Sequence, residues 1–296
     1  MTTAGVIRSM PWLAAFVAGL LAEAGCGGGA ARLPSYTKID DMEGPGPVIE
    51  WAPPVGATAG IWFTATDCTQ NDRISPPARQ LDPGGWSYAL LPTPHATLSG
   101  TVSTQAVRFR TTSPLVGIWG ANVGLVFAAA PGDGGSGPVD AGAPRDDAGA
   151  CMQASSLDYP SPPVDLTAYA GVTFWARAET PGGREMRVQV SDVNTDPRGG
   201  ICQEKDSSAS DYCYNGFGVQ LQLTDTFRQY TLDFAQFTQR GGWGYHPPAG
   251  IDWSRVFSMS FEMDLPSCSA SAAMCPGGAP SLSFDFWIDD LYFVNK

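Results

Sequence analysis

The stretch "FDFWIDDLYFV" (Phe284–Val294) decides how the fold is read. It is a strand-like run of aromatic and aliphatic residues with two adjacent carboxylates, Asp289 and Asp290, at its centre. Buried carboxylates are costly unless something pairs with them. The same three letters open "IDDMEG" (Ile39–Gly44), so an Ile-Asp-Asp triplet stands near both ends of the strand-forming region.

Working outward, "GVTFWARA" (Gly171–Ala178), "MRVQVSD" (Met186–Asp192), "FGVQLQLT" (Phe217–Thr224), "RQYTLDF" (Arg228–Phe234) and "VFSMSFEM" (Val256–Met263) alternate or run apolar. "TPGG" (Thr180–Gly183) and "RGG" (Arg240–Gly242) supply turns between them. Earlier in the chain, "AGIWFTAT", "QAVRFRT" and "GIWGANVGLVFA" are further strand candidates, but the segment Thr37–Ala130 shows few clear strands. Ten or so short strands with almost no helical periodicity predict an all-β, two-sheet antiparallel β-sandwich of the jelly-roll kind. Val188, Val190, Val219, Leu221, Leu223, Phe261 and Met263 form the core-facing parity. Arg187, Gln189, Gln220, Gln222 and Glu262 form the other, a polar sheet face suited to sugar hydroxyls or simply to solvent.

Composition supports this class. The 296 residues are 43% hydrophobic and only 16% charged, with 35 Gly and 25 Pro, as a turn-rich β protein requires. The net charge of −12 and the lack of a basic patch argue against a nucleic-acid partner. "PGDGGSGPVDAGAPRDDAGA" (Pro131–Ala150) has too little apolar material to pack and reads as a Gly/Asp/Pro-rich insertion. The spacing of its aspartates fits no calcium loop.

The N-terminus reads as an export signal: Arg8, then the apolar "WLAAFVAGLLA" (Trp12–Ala22), too short to span a bilayer comfortably. Two processing routes compete. Cleavage after "AEA" (Ala22–Ala24) gives a secreted or periplasmic protein. "LLAEAGCGGG" instead resembles a lipoprotein signal with Cys26 as the lipidated residue, although Glu23 replaces the usual aliphatic residue. The favoured organisation is a signal over 1–25, a tether over 26–36, and one domain over 37–296. The protein is then an outer-membrane or cell-surface lipoprotein, monomeric, touching membrane only through its lipid. Setting Cys26 aside leaves six of the seven cysteines. The simplest pairing in an oxidising compartment is Cys202 with Cys213, Cys268 with Cys275, and Cys68 with Cys151, one of 15 connectivities.

"LTAYAGVTFWARAE", "MRVQVSDVNTDPRGGIC", "NGFGVQLQLTDTFRQYTLDFAQFTQRGGWG", "IDWSRVFSMSFEM" and "FDFWIDDLYF", in that order, resemble the galactose-binding-like jelly-roll domains. These occur as carbohydrate-binding modules of bacterial surface and polysaccharide-degrading proteins, akin to family-eleven glucan-binding modules and the complex I intermediate-associated type. "DDMEG" and "SPLVGIWGANVGLVF" resemble the family's opening signatures. The likeness covers Lys38 to Val294; the Asp-rich insertion and "LPSCSASAAMCPGG" (Leu265–Gly278) depart from it. The resemblance implies a structural Ca2+ at the edge where first and last strands meet, with Asp41, Glu43 and Asp290 as side-chain ligands. Asp40 and Asp289 are weaker candidates, because adjacent strand residues point to opposite faces.

The function implied is non-catalytic binding of a polysaccharide or oligosaccharide. Sugar sites combine flat aromatics with polar groups. "GGWGYHPPAGIDW" offers Trp243, Tyr245 and His246; "DYCYNG" offers Tyr212 and Tyr214; "DVNTDPRGG" offers Asp192, Asn194, Asp196 and Arg198. Trp86 and Tyr88 are expected to be exposed, Trp175 and Trp287 to be core. Only two histidines, His95 and His246, are present, with no nucleophile motif, so no enzyme is expected. The alternatives are a structural or protein-interaction domain of the envelope and, remotely, a glycan hydrolase or lyase using Asp192 with Glu262.

Overall fold

The computed structural model describes residues 34–44, 46, 48–53, 58–66, 73–76, 88–98, 100–116, 120–129, 161–179, 184–203, 210–264 and 281–296. The export signal, Cys26, the insertion at 131–150, Trp86 and the cysteines 68, 151, 268 and 275 lie outside the described residues.

The quoted C-terminal run becomes β14 (Asp285–Asn295), the centre of the first sheet. One of its edges carries β8 (Tyr169–Ala178) over nearly its whole length. The other edge is shared: β5 (Val102–Thr111) pairs with Asp285–Ile288, and β1 (Tyr36–Asp40) pairs with Leu291–Val294. β11 (Arg228–Asp233) extends the sheet beyond β8, and β3 (Ile74–Ser75) and β4 (Ala89–Ala96) pair with β5. The second sheet has the order β10 (Phe217–Leu223), β9 (Arg184–Asp192), β12 (Val256–Asp264), β7 (Gly120–Ala129), β2 (Thr58–Thr66). A small ladder joins β6 (Leu115–Val116) to β13 (Ser281–Leu282). All pairings between these strands are antiparallel, giving the expected all-β sandwich of two sheets.

Inward parities of the two sheets meet in one core. Phe261 of β12 packs edge-on against Phe174 of β8 at 5.2 Å and stacks with Trp62 of β2 at 6.2 Å. Full burial of such a ring contributes about 1.5–3 kcal/mol. The core accounts for Phe286 and Ile288 of β14, but not for Trp287. The intervening face of that strand is also covered: Trp287 packs with Leu91 and Ala106 beneath β4. This double coverage explains why "FDFWIDDLYF" reads as a continuous apolar run instead of alternating.

Three sequence expectations are corrected. The first half is rich in strands, contributing β1 to β7. Two prolines hide β4 ("ALLPTPHA"), which survives because it pairs on one side only, with a register irregularity between Leu90 and His95. Trp175 is only partly buried, on the outer parity of the first sheet; Trp287 is buried as expected, in a second, smaller apolar cluster on that same face. Tyr88 is not exposed but buried.

Candidate functional site

The second sheet presents a polar face away from the core. Antiparallel register aligns Gln220, Arg187, Glu262 and Asn122 in one row across β10, β9, β12 and β7. The next row is Gly218, Gln189, Ser260 and Gly124. Gln189 Nε2 donates to Glu262 Oε1 at 2.8 Å, and the Arg240 guanidinium stands 3.6 Å from Glu262 Oε2.

Two loops lean over this face. Arg187 donates to the Thr238 carbonyl at 2.6 Å, and Gln189 to the Tyr214 carbonyl at 3.3 Å. Arg187 and Gln189 are consequently buried, and they act as floor and anchor for the loops instead of lying open to ligand. Gly218 is required here, since a Cβ would sit 2.7 Å from Arg187 Nε and 2.5 Å from the Val188 carbonyl. The loops are also tied to each other. Asn215 Nδ2 donates to the carbonyls of Arg240 and Trp243, Gln239 Nε2 to those of Asn215 and Tyr245, and Tyr245 N to Tyr212 O. The Cys202–Cys213 disulfide pins the base of the first loop, as the spacing suggested.

This arrangement brings together Tyr212, Tyr214 and Trp243, all partly exposed, with Tyr212 centred 5.7 Å from Tyr214 and 6.4 Å from Trp243. Tyr245 is also partly exposed, and exposed His246 is held by its Nε2 to the Trp243 carbonyl. Beside them an open depression of about 570 Å³ is lined by Asn194, Tyr245, Pro247 and Trp253. Gln220 and Gln222 are exposed on the edge strand β10. Asp192, Asp196 and Arg198 stand elsewhere in function. Asp192 is fully buried and accepts from Asn194, Thr195 and the Asp252 backbone. Asp196 caps a short turn and grips Arg198 through both oxygens. Their loop supports the aromatic cluster from below, since Tyr214 N donates to Thr195 O. Asn215, Gln239 and Arg240 were missed in the sequence; only the "NG" turn dipeptide hinted at the first.

The pair Asp192 and Glu262 cannot flank one glycosidic bond. Asp192 is level with Val256, six positions from Glu262 along β12, or about 20 Å at ordinary strand rise. Glycosidase carboxylates stand about 5–9.5 Å apart.

The acids of the two Ile-Asp-Asp triplets do come to one region, through the β1–β14 pairing. There Asp40 and Asp41 are engaged by different partners, while Ser103 Oγ lies within hydrogen-bond reach of both Glu43 and Asp289. Asp40 is buried and accepts from Trp62 Nε1 at 2.7 Å, Tyr88 OH at 2.7 Å and Met42 N at 3.0 Å; burial nevertheless holds its carboxyl above the usual range. Asp41 pairs with Lys38 at 2.8 Å. Glu43 accepts from Ser103, from the backbone and hydroxyl of Thr104, and from Gln105 N. Asp289 and Asp290 are fully buried and face His95 Nε2 at 3.5 and 3.2 Å. Burial, then the charges of Asp290 and Glu43, push the Asp289 carboxyl up to about 9 despite the Ser103 hydrogen bond.

No family model and no curated protein matches this chain. Among solved structures it is similar to a family 11 carbohydrate-binding module of a cellulosomal cellulase from Clostridium thermocellum, at 9% identity and TM-score 0.38, covering 88% of this chain and 95% of that one. The Clostridium thermocellum family 11 module in complex with a β-1,3-1,4-mixed-linked tetrasaccharide gives 9% identity, TM-score 0.39 and the same coverages. A structure described as CBM4 gives 13% identity and TM-score 0.34, covering 80% and 87%.

Proposed function

We propose that this protein binds a carbohydrate, without cleaving it, on the aromatic and polar surface over the second sheet. The observation that carries the reading is the convergence of Tyr212, Tyr214 and Trp243 above a row holding Gln220 and Glu262, with Arg240 beside it. Aromatic rings take the apolar face of a sugar, and the amide, carboxylate and guanidinium groups take its hydroxyls. The loops are cross-tied and disulfide-pinned, so the platform is formed before ligand arrives, which lowers the ordering cost of binding. We further propose that the protein is exported and held at the cell envelope through Cys26, displaying this surface outward.

The test is affinity electrophoresis on a panel of soluble polysaccharides with the protein and its Trp243→Ala and Glu262→Gln variants. Retardation by at least one glycan, weakened in both variants, is the expected result. A folded protein that no glycan retards overturns the reading.

A further inference from the structure

The outer face of the first sheet holds chemistry that the carbohydrate surface does not use. His95, on β4, lies tilted against the rings of Trp175 at 4.7 Å and Phe227 at 4.9 Å. Its Nε2 faces Asp289 and Asp290 of β14. Alternation along a strand would send these neighbours to opposite faces. A bulge prevents that: the β8 register slips between Asp289 and Tyr292, and Asp290 takes φ +51°, a left-handed conformation uncommon for a residue with a side chain. Backbone strain of this kind persists where the surroundings over-determine it. Here it turns two fully buried carboxylates toward one imidazole.

The cluster is incompletely partnered. Among the described residues, Asp290 Oδ1 and His95 Nδ1 are buried without a hydrogen-bond partner.

We propose that His95, Asp289 and Asp290 form a binding site for one divalent transition-metal ion of the zinc class. One ligand atom from each residue falls within 4.8 Å of the others. The imidazole-to-carboxylate distances, 3.2 and 3.5 Å, bracket the edge of a tetrahedron about 3.3 Å long that bonds of about 2.0–2.1 Å produce. An imidazole nitrogen among the donors favours zinc, cobalt or nickel over calcium, which takes oxygens. An outer shell is in place: Ser103 Oγ donates to Asp289 Oδ2 at 2.6 Å and also lies 3.0 Å from Glu43 Oε1, while Asp290 N donates to Asp289 Oδ1. The ion would clamp β4 to the central strand; the inference stands independently of carbohydrate binding.

The protein is stripped with chelator and titrated with Zn2+, Co2+, Ca2+ and Mg2+, following bound metal, Tm and the visible absorption of Co2+. The expected result is one Zn2+ or Co2+ per chain and a Tm gain of about 5 °C or more at a hundredfold excess over Kd. His95→Gln and Asp290→Asn should each weaken Zn2+ binding at least about tenfold. Stabilisation by Ca2+ alone, undiminished in His95→Gln, overturns the proposal. So does Zn2+ binding unchanged in both variants, or no response to any metal. Should both variants fail to fold, X-ray absorption of the Co2+ form decides: an imidazole and oxygen shell supports the site, and a thiolate or all-oxygen shell overturns it.

Discussion

The Tyr88 hydroxyl donates to Asp40 Oδ2 at 2.7 Å, and Trp62 Nε1 shares that oxygen at the same distance. The first Ile-Asp-Asp triplet therefore owes its buried carboxylate to two aromatic donors. A hydrogen bond to a buried charged group contributes more than a neutral one. Tyr88→Phe should lower unfolding free energy by about 1–3 kcal/mol, read from urea denaturation. An unchanged midpoint would mean that Asp40 does not depend on this donor.

Glu43 sets an acid limit. Burial raises its carboxyl, but the Thr104 N–H and hydroxyl, the Gln105 N–H and the Ser103 hydroxyl outweigh that and hold it below its ordinary 4.5. A carboxyl lowered on folding adds stability above its unfolded value and loses it as pH falls through the folded one. Tm should drop between about pH 5 and pH 3, and Glu43→Gln should flatten that part of the profile. Parallel profiles for the two proteins would refute the assignment.

The disulfide at Cys202–Cys213 closes a short loop that carries Tyr212 into the platform. Replacing both cysteines by serine should cost about 2–3 kcal/mol by the chain-entropy account. Glycan retardation should weaken too, because the ring of Tyr212 loses its fixed place beside Trp243. Retardation identical to the parent protein would show that the loop holds its shape without the bond.

Gly244 has φ +74°, and a Cβ there would lie 2.5 Å from Asn215 Cβ. Gly244→Ala should destabilise by about 1–3 kcal/mol and separate the two loops that frame the aromatic platform. The expected signature is a loss of glycan binding larger than the Tm change alone explains, measured by titration calorimetry well below Tm.

Much of the second half was legible because its strands bury one face and alternate cleanly: β10, β11 and β12 follow the expected segments within a residue or two. β4 was not, since an edge strand tolerates Pro92 and Pro94, which read as breakers. The convergence of Asp289 and Asp290 was hidden for another reason. Period-two reasoning places them on opposite faces, and no residue type in "WIDDLY" announces the bulge that overrides it. Tyr88 was misplaced because its partner, Asp40, is forty-eight positions away. In the platform, the aromatics were visible as composition. Their anchoring by Arg187 and Gln189 required the register of two strands to be known.

The position of β14 has a consequence for how the protein reaches its folded state. The latest strand in chain order is the middle one of its sheet, with β8 on one edge and β5 and β1 sharing the other. During synthesis β1, β5 and β8 emerge with no central partner, and Tyr36 waits for Val294. Closure of such long-range pairs is slow, because loop entropy is lost before contacts form. The sheet therefore assembles only after the final strand is free.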